Sequence, residues 1–152
     1  MKPGFEEKFM EYQSGLISLC LEAGGELVDT VYAYASMEEN RVMFNAIFGA
    51  SGFILQVSDL IEDLQRVIQF LSLGASDLQE MRLMCQEYGR KIPSQMKMYY
   101  DRRTGRYTAK CGYEPICTKE TGVTPEQEFQ KWVREVETGE DRAWMHFPNN
   151  RK

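Results

Sequence analysis

The side chains best suited to chemistry in this chain are few and far apart. His146 is the only histidine. It stands beyond the last predicted helix with no second ligand at a helical spacing, so neither general acid–base work nor metal binding is indicated. Cys20, Cys85, Cys111 and Cys117 are scattered; Cys111 and Cys117 are six apart and lack the second pair of a zinc site. Cys111 falls on a predicted strand as a small apolar side chain, and a chain of 152 residues builds a core without disulfide staples. Gly49-Ala50-Ser51-Gly52 has no Lys-Ser or Lys-Thr behind it and reads as a turn, not a phosphate loop. Glu38-Glu39 belongs to a predicted loop tip and Glu62-Asp63 to a helix flank, where solvation alone accounts for acids. No catalytic residue, metal ligand or cofactor site emerges.

Charge is more informative. The chain carries −5 in all, but residues 90–110 hold seven basic side chains against one acid, Asp101. That segment is +6, which leaves −11 for the rest, a division that can steer a charged partner. Lys97, Arg102, Arg103, Arg106 and Lys110 are interleaved with Tyr99, Tyr100 and Tyr107, the cations and stacking rings of a nucleic-acid surface. Against that reading, Lys97 and Lys110 fit the exposed row of a half-buried strand, and an acidic whole repels phosphate at range. A small nucleic-acid-binding regulator using this hairpin is therefore the alternative, not the leading, function.

The elements that must position these residues follow from periodicity. Phe5, Phe9, Tyr12, Leu16, Leu19 and Cys20 predict a helix over 5–22, stopped by Gly24-Gly25. Alternation predicts strands over 27–35 and 41–48 joined by a loop at 36–40, with apolar residues on both faces. Ser58 is a candidate cap for a helix whose stripe is Leu60, Ile61, Leu64, Val67, Ile68 and Leu71, broken by Gly74. Ser76-Asp77-Leu78-Gln79 has the form of a capping box and starts another helix that buries Leu78, Met81, Met84 and Cys85. Residues 96–100 and 107–113 form a second hairpin, turning at Asp101–Gly105. Thr124-Pro125-Glu126-Gln127 opens a last helix with Phe129, Trp132, Val133 and Val136 buried; Gly139 ends it and the tail from Pro148 is polar.

The order α-ββ-αα-ββ-α, with strands in adjacent antiparallel pairs, predicts one α+β domain spanning 1–152, its core at about 5–138. Leu64, Val67, Ile68, Phe129, Trp132 and Val133 are the expected core. A content of 43% apolar and 27% charged residues suits an ordinary globular fold. No apolar run approaches the eighteen or so residues of a membrane span, and the start lacks the shape of a secretory signal, so the expected compartment is the cytoplasm.

Ile92-Pro93-Ser94-Gln95-Met96-Lys97-Met98-Tyr99-Tyr100-Asp101, then Thr104-Gly105-Arg106-Tyr107, Tyr113-Glu114 and Phe129-Gln130-Lys131-Trp132 together resemble the C-terminal half of YezG-like immunity proteins. Val31-Tyr32-Ala33 and Val42-Met43-Phe44-Asn45 are similar to that family's first hairpin. The likeness covers most of 5–138, with residues 49–91 departing from the family's pattern. It implies an antitoxin that binds and neutralises a cognate secreted or contact-dependent toxin, often a nuclease, one to one in the cytoplasm. It carries no catalytic residue, and the toxin is left unspecified. Acidic surface would speed capture of a basic nuclease. Glu38, Glu39, Asp59, Glu62 and Asp63, at a loop tip and helix starts outside the apolar stripes, are the candidate partner-binding residues.

Overall fold

The computed structural model describes residues 4–140; His146 and the tail from Pro148 lie outside the described residues. Its elements are α1 (Phe5–Gly24), β1 (Thr30–Ser36), β2 (Met43–Ala50), β3 (Phe53–Gln56), α2 (Val57–Leu60), α3 (Leu64–Glu87), β4 (Gln95–Asp101), β5 (Arg106–Gly112) and α4 (Pro125–Thr138). The fold is α+β, with one antiparallel sheet in the order β3-β2-β1-β4-β5. The two expected hairpins are joined through β1 and β4, where Thr30 faces Asp101 and Ser36 faces Gln95.

The sheet has five strands, not four. Gly49 and Ala50 complete β2, and the chain reverses at Ser51-Gly52, whose φ angles of 51° and 85° are both left-handed. Two such residues make the tight connection that matches the twist of a hairpin, so Ala50 can pair directly with Phe53. The turn is therefore two residues long, not the four of 49–52, and it leads into a third strand. Ser51 is a weak turn signal, which hides this reversal in the sequence.

One face of the sheet meets α1 and α3. Val31, Ala33 and Ala35 of β1, Phe44, Ala46 and Phe48 of β2, and Met96 and Met98 of β4 are buried there with Leu16, Cys20 and Leu78. The other face meets α4: Tyr34 and Ile47 pack with Phe129, Trp132, Val133 and Val136, and Tyr32 lies against the Trp132 ring. The start of α4 is as its sequence implies, with the Thr124 hydroxyl accepting from Gln127 N and the Gln127 side chain accepting from Thr124 N. Gly139 stops it at φ 82°.

The middle of the chain differs most from expectation. Ser58 lies inside α2; Asp63 caps α3 by accepting from Gln65 N at 2.9 Å. Gly74 does not break the helix, and Ser76–Gln79 is interior to a single helix of 24 residues. An interior glycine costs only about 1 kcal/mol, and here it is packed directly against the Phe44 ring. Because that contact is open only to glycine, α3 turns the row Phe70, Gly74, Leu78, Met81 and Cys85 to the sheet. The predicted stripe is thereby rotated away: Leu64 is 68% exposed, Ile68 49%, and Val67 half-buried. Phe129, Trp132 and Val133 are core as predicted.

These contacts set opposite outcomes for two glycines. Gly74→Ala gains about 1 kcal/mol of helix propensity but drives a Cβ into Phe44, and overpacking costs about 1–3 kcal/mol. A net fall in stability is expected. Gly15→Ala in α1 meets nothing within 4 Å and should raise stability by up to about 1 kcal/mol. Urea melts of both variants check the pair; a rise for Gly74→Ala would refute the close-approach argument.

Candidate partner interface

The five candidate carboxylates do not form one surface. Glu38 and Glu39 occupy the β1–β2 loop, whereas Asp59, Glu62 and Asp63 surround the start of α3. Arg82, which reaches the loop through a 2.8 Å bond to Asn40, is eighteen residues beyond Leu64. At 1.5 Å per residue, about 27 Å of helix axis separates Leu64 from Arg82.

Three of the five hold up their own chain. The Glu38 carboxylate accepts from Ile116 N at 3.0 Å and Cys117 N at 2.6 Å, fastening the segment after β5 to the first hairpin. Left-handed backbone at Glu39 and Asn40, φ 53° and 62°, turns the loop, and Glu38 is half-buried. Asp59 accepts from Gln56 N at the start of α2, as Asp63 does from Gln65 N at the start of α3. Glu39 and Glu62 are exposed.

The basic hairpin is similarly engaged. Arg102 donates from Nη1 to the Gly25 carbonyl at 3.1 Å, and its amide donates to Asp29 O at 2.8 Å, tying the β4–β5 turn to the end of α1. Arg103 donates to both Asp101 oxygens at 3.1 and 3.2 Å. Lys97 Nζ lies 5.5 Å from the Trp132 ring centre, a cation–π contact. Lys110 pairs with Lys97 across the strands, and Arg106 with Asp101. Of the tyrosines, Tyr99 is buried on the α4 face, so it presents no stacking ring to solvent.

Sequence reasoning missed a groove between the last turns of α1 and the first turns of α3. It encloses about 280 Å3, with Leu19, Ala23, Ile61, Phe70 and Leu73 as its apolar wall and Glu22, Arg66 and Gln69 as polar lining. Leu27, Phe53, Leu64, Ile68 and Leu73 are exposed, at 49–83%, and of these only Leu73 lines the groove. The available signal was that α3 carries two apolar rows, more than a single sheet face can cover. At the same end, a second cleft of about 360 Å3 includes Asp29, Tyr32, Tyr99, Arg103 and Glu137.

All four cysteines are free thiols. Burial pushes each pKa up, Cys111 and Cys117 to about 11, with Cys20 and Cys85 also raised; none is prepared as a nucleophile. Among the described residues no group of three His, Cys, Asp or Glu could hold a metal ion, and no helix is long and apolar enough to cross a membrane. No protein-family model matches the chain, and no curated protein matches it either.

The anchoring role of Glu38 is open to direct measurement. Glu38→Ala strands two partly buried amides and should cost about 1–3 kcal/mol, with the amide resonances of Ile116 and Cys117 moving; Glu39→Ala should stay within about 0.5 kcal/mol. For Asp101, burial raises the carboxyl pKa, but hydrogen bonds and charge from Arg103 outweigh it and the net value lies below the ordinary one. A depressed folded-state pKa stabilises above the unfolded value of about 3.9 and is lost as pH falls through the folded value. Acid melts over roughly pH 5 to 2 should therefore decline less steeply for Asp101→Asn than for the native chain.

Proposed function

We propose that this protein works by binding, not catalysis, as an immunity protein that neutralises a cognate toxin domain in the cytoplasm. The observation that carries the reading is the pair Leu64 and Ile68, one helical turn apart on α3 and exposed although the chain has a well-filled core. Apolar side chains grouped on a surface mark interaction sites more often than singly scattered ones do. The resemblance of residues 92–134 to YezG-like immunity proteins supports the particular role, with a nuclease as the expected toxin. Four protonated thiols and carboxylates occupied in caps and loop anchoring agree with a binding protein. The nucleic-acid reading is weakened because Arg102 and Arg103 serve their own fold.

Co-expression with the toxin domain encoded beside this chain tests the proposal. A one-to-one complex with Kd of about 10 nM or tighter is expected, together with restored growth of toxin-expressing cells. If the two neither co-purify nor rescue growth, the immunity role is wrong. Salt-sensitive binding of oligonucleotides, lost in Arg106→Glu with Lys110→Glu, would put the regulator in its place.

A further inference from the structure

α1 packs on α3, β1 and β4, while β5 is the edge strand beyond β4. Between this helix and the outer hairpin lies a cavity of about 350 Å3, within the roughly 300–1,000 Å3 of small-molecule sites. Met10, Gln13, Ser14, Ile17, Ser18 and Leu21 recur at helical spacing and give it one face of α1. Tyr100 and Tyr107, paired across β4 and β5, supply its rings. None of these side chains carries a charge, although 27% of the chain's residues do.

Two polar groups of this lining lack the partners that burial demands. Gln13 is 5% exposed, and its only side-chain hydrogen bond among the described residues runs from Nε2 to the Met96 sulfur at 3.8 Å, a weak acceptor. Its Oε1 therefore accepts nothing from them. The Tyr107 hydroxyl is buried with no partner at all. Burial pushes the phenol pKa up, so the group is a donor without an acceptor. Buried polar groups are overwhelmingly hydrogen-bonded, and each exception requires a cause. One molecule in the cavity, with an acceptor for Tyr107 and a donor for Gln13, answers both. Met10, unbranched and 56% exposed, is the lining side chain freest to move aside for it.

A carboxamide carries that donor and that acceptor on one carbon, and an aromatic ring attached to it suits the two tyrosine rings. An ion is disfavoured, since no lining side chain is there to pair with it. We propose that the cleft between α1 and the β4–β5 hairpin binds a small uncharged aromatic amide, which donates to Gln13 Oε1, accepts from the Tyr107 hydroxyl and lays its ring against Tyr100 and Tyr107. The immunity reading and this site do not depend on each other.

The probe is benzamide, titrated into the full chain and followed by NMR, with benzoate and benzylamine as its anionic and cationic comparators. Benzamide should move the Ile17, Leu21 and Tyr100 resonances and saturate with a Kd of about 1 mM, as suits so small a molecule. The two ions should bind at least about 10-fold more weakly. Ser18→Trp puts a large ring at an exposed position of the lining, and should abolish binding with the thermal melt unchanged. Gln13→Leu and Tyr107→Phe should each weaken binding about 5-fold, the loss of one hydrogen bond. Because it removes an unsatisfied hydroxyl, Tyr107→Phe should not lower the thermal midpoint. If the midpoint falls, the hydroxyl already has a partner and the site is wrong. No saturable benzamide binding, equal binding of all three probes, or binding kept in Ser18→Trp also overturns the proposal. A self-association that Ser18→Trp abolishes, seen by sedimentation, assigns the cleft to a second copy and overturns it too.

Discussion

β1 is hydrogen-bonded along both edges and covered on both faces, and that double enclosure organises the rest of the molecule. Backbone groups of a central strand cannot be left to water, so β2 and β4 must both be in register before the core closes. Its side chains divide the labour by size. Val31, Ala33 and Ala35 are small and let α1 and α3 approach, while Tyr32 and Tyr34 project far enough to meet Trp132 and Phe129 of α4. Tyr34 also donates to Gln95 at 2.7 Å, so its hydroxyl is satisfied inside the second layer.

The same logic of close approach decides how α3 lies. A ring from β2 fills the space beside Gly74, and any larger residue there would push the helix off the sheet. Helix rotation is then no longer free. The row containing Gly74 goes inward, and the neighbouring row with Leu64 and Ile68 stays in water. Exposed apolar surface on α3 is thus a consequence of how the core packs.

Charged residues do two kinds of work. Glu38 and Arg102 fasten segments distant in sequence, Asp63 begins α3, and Asp101 holds Arg103 at the β4–β5 turn. Their engagement removes specific side-chain contacts from those available to a partner without removing their charge. Glu62 stands exposed at the α2–α3 junction.

Much of the architecture was legible in the chain. Alternation revealed both hairpins, the Thr-Pro-Glu-Gln start and Phe-x-x-Trp spacing revealed α4, and paired strands without intervening helices excluded a parallel sheet, because these are local consequences of backbone geometry. Residues 49–88 were not legible to the same degree. Gly74 reads as a helix breaker by its propensity, yet a long-range contact with Phe44 keeps it inside a continuous helix. Leu64 and Ile68 read as core by their spacing, which shows that a row is apolar but not which of two rows faces the sheet. Glu38 looked like solvated charge because its partners, the amides of Ile116 and Cys117, are nearly eighty residues away. The sequence by itself determined the elements and their apolar faces; only the tertiary structure decided which faces were covered, since that choice depends on side-chain volumes meeting across the core.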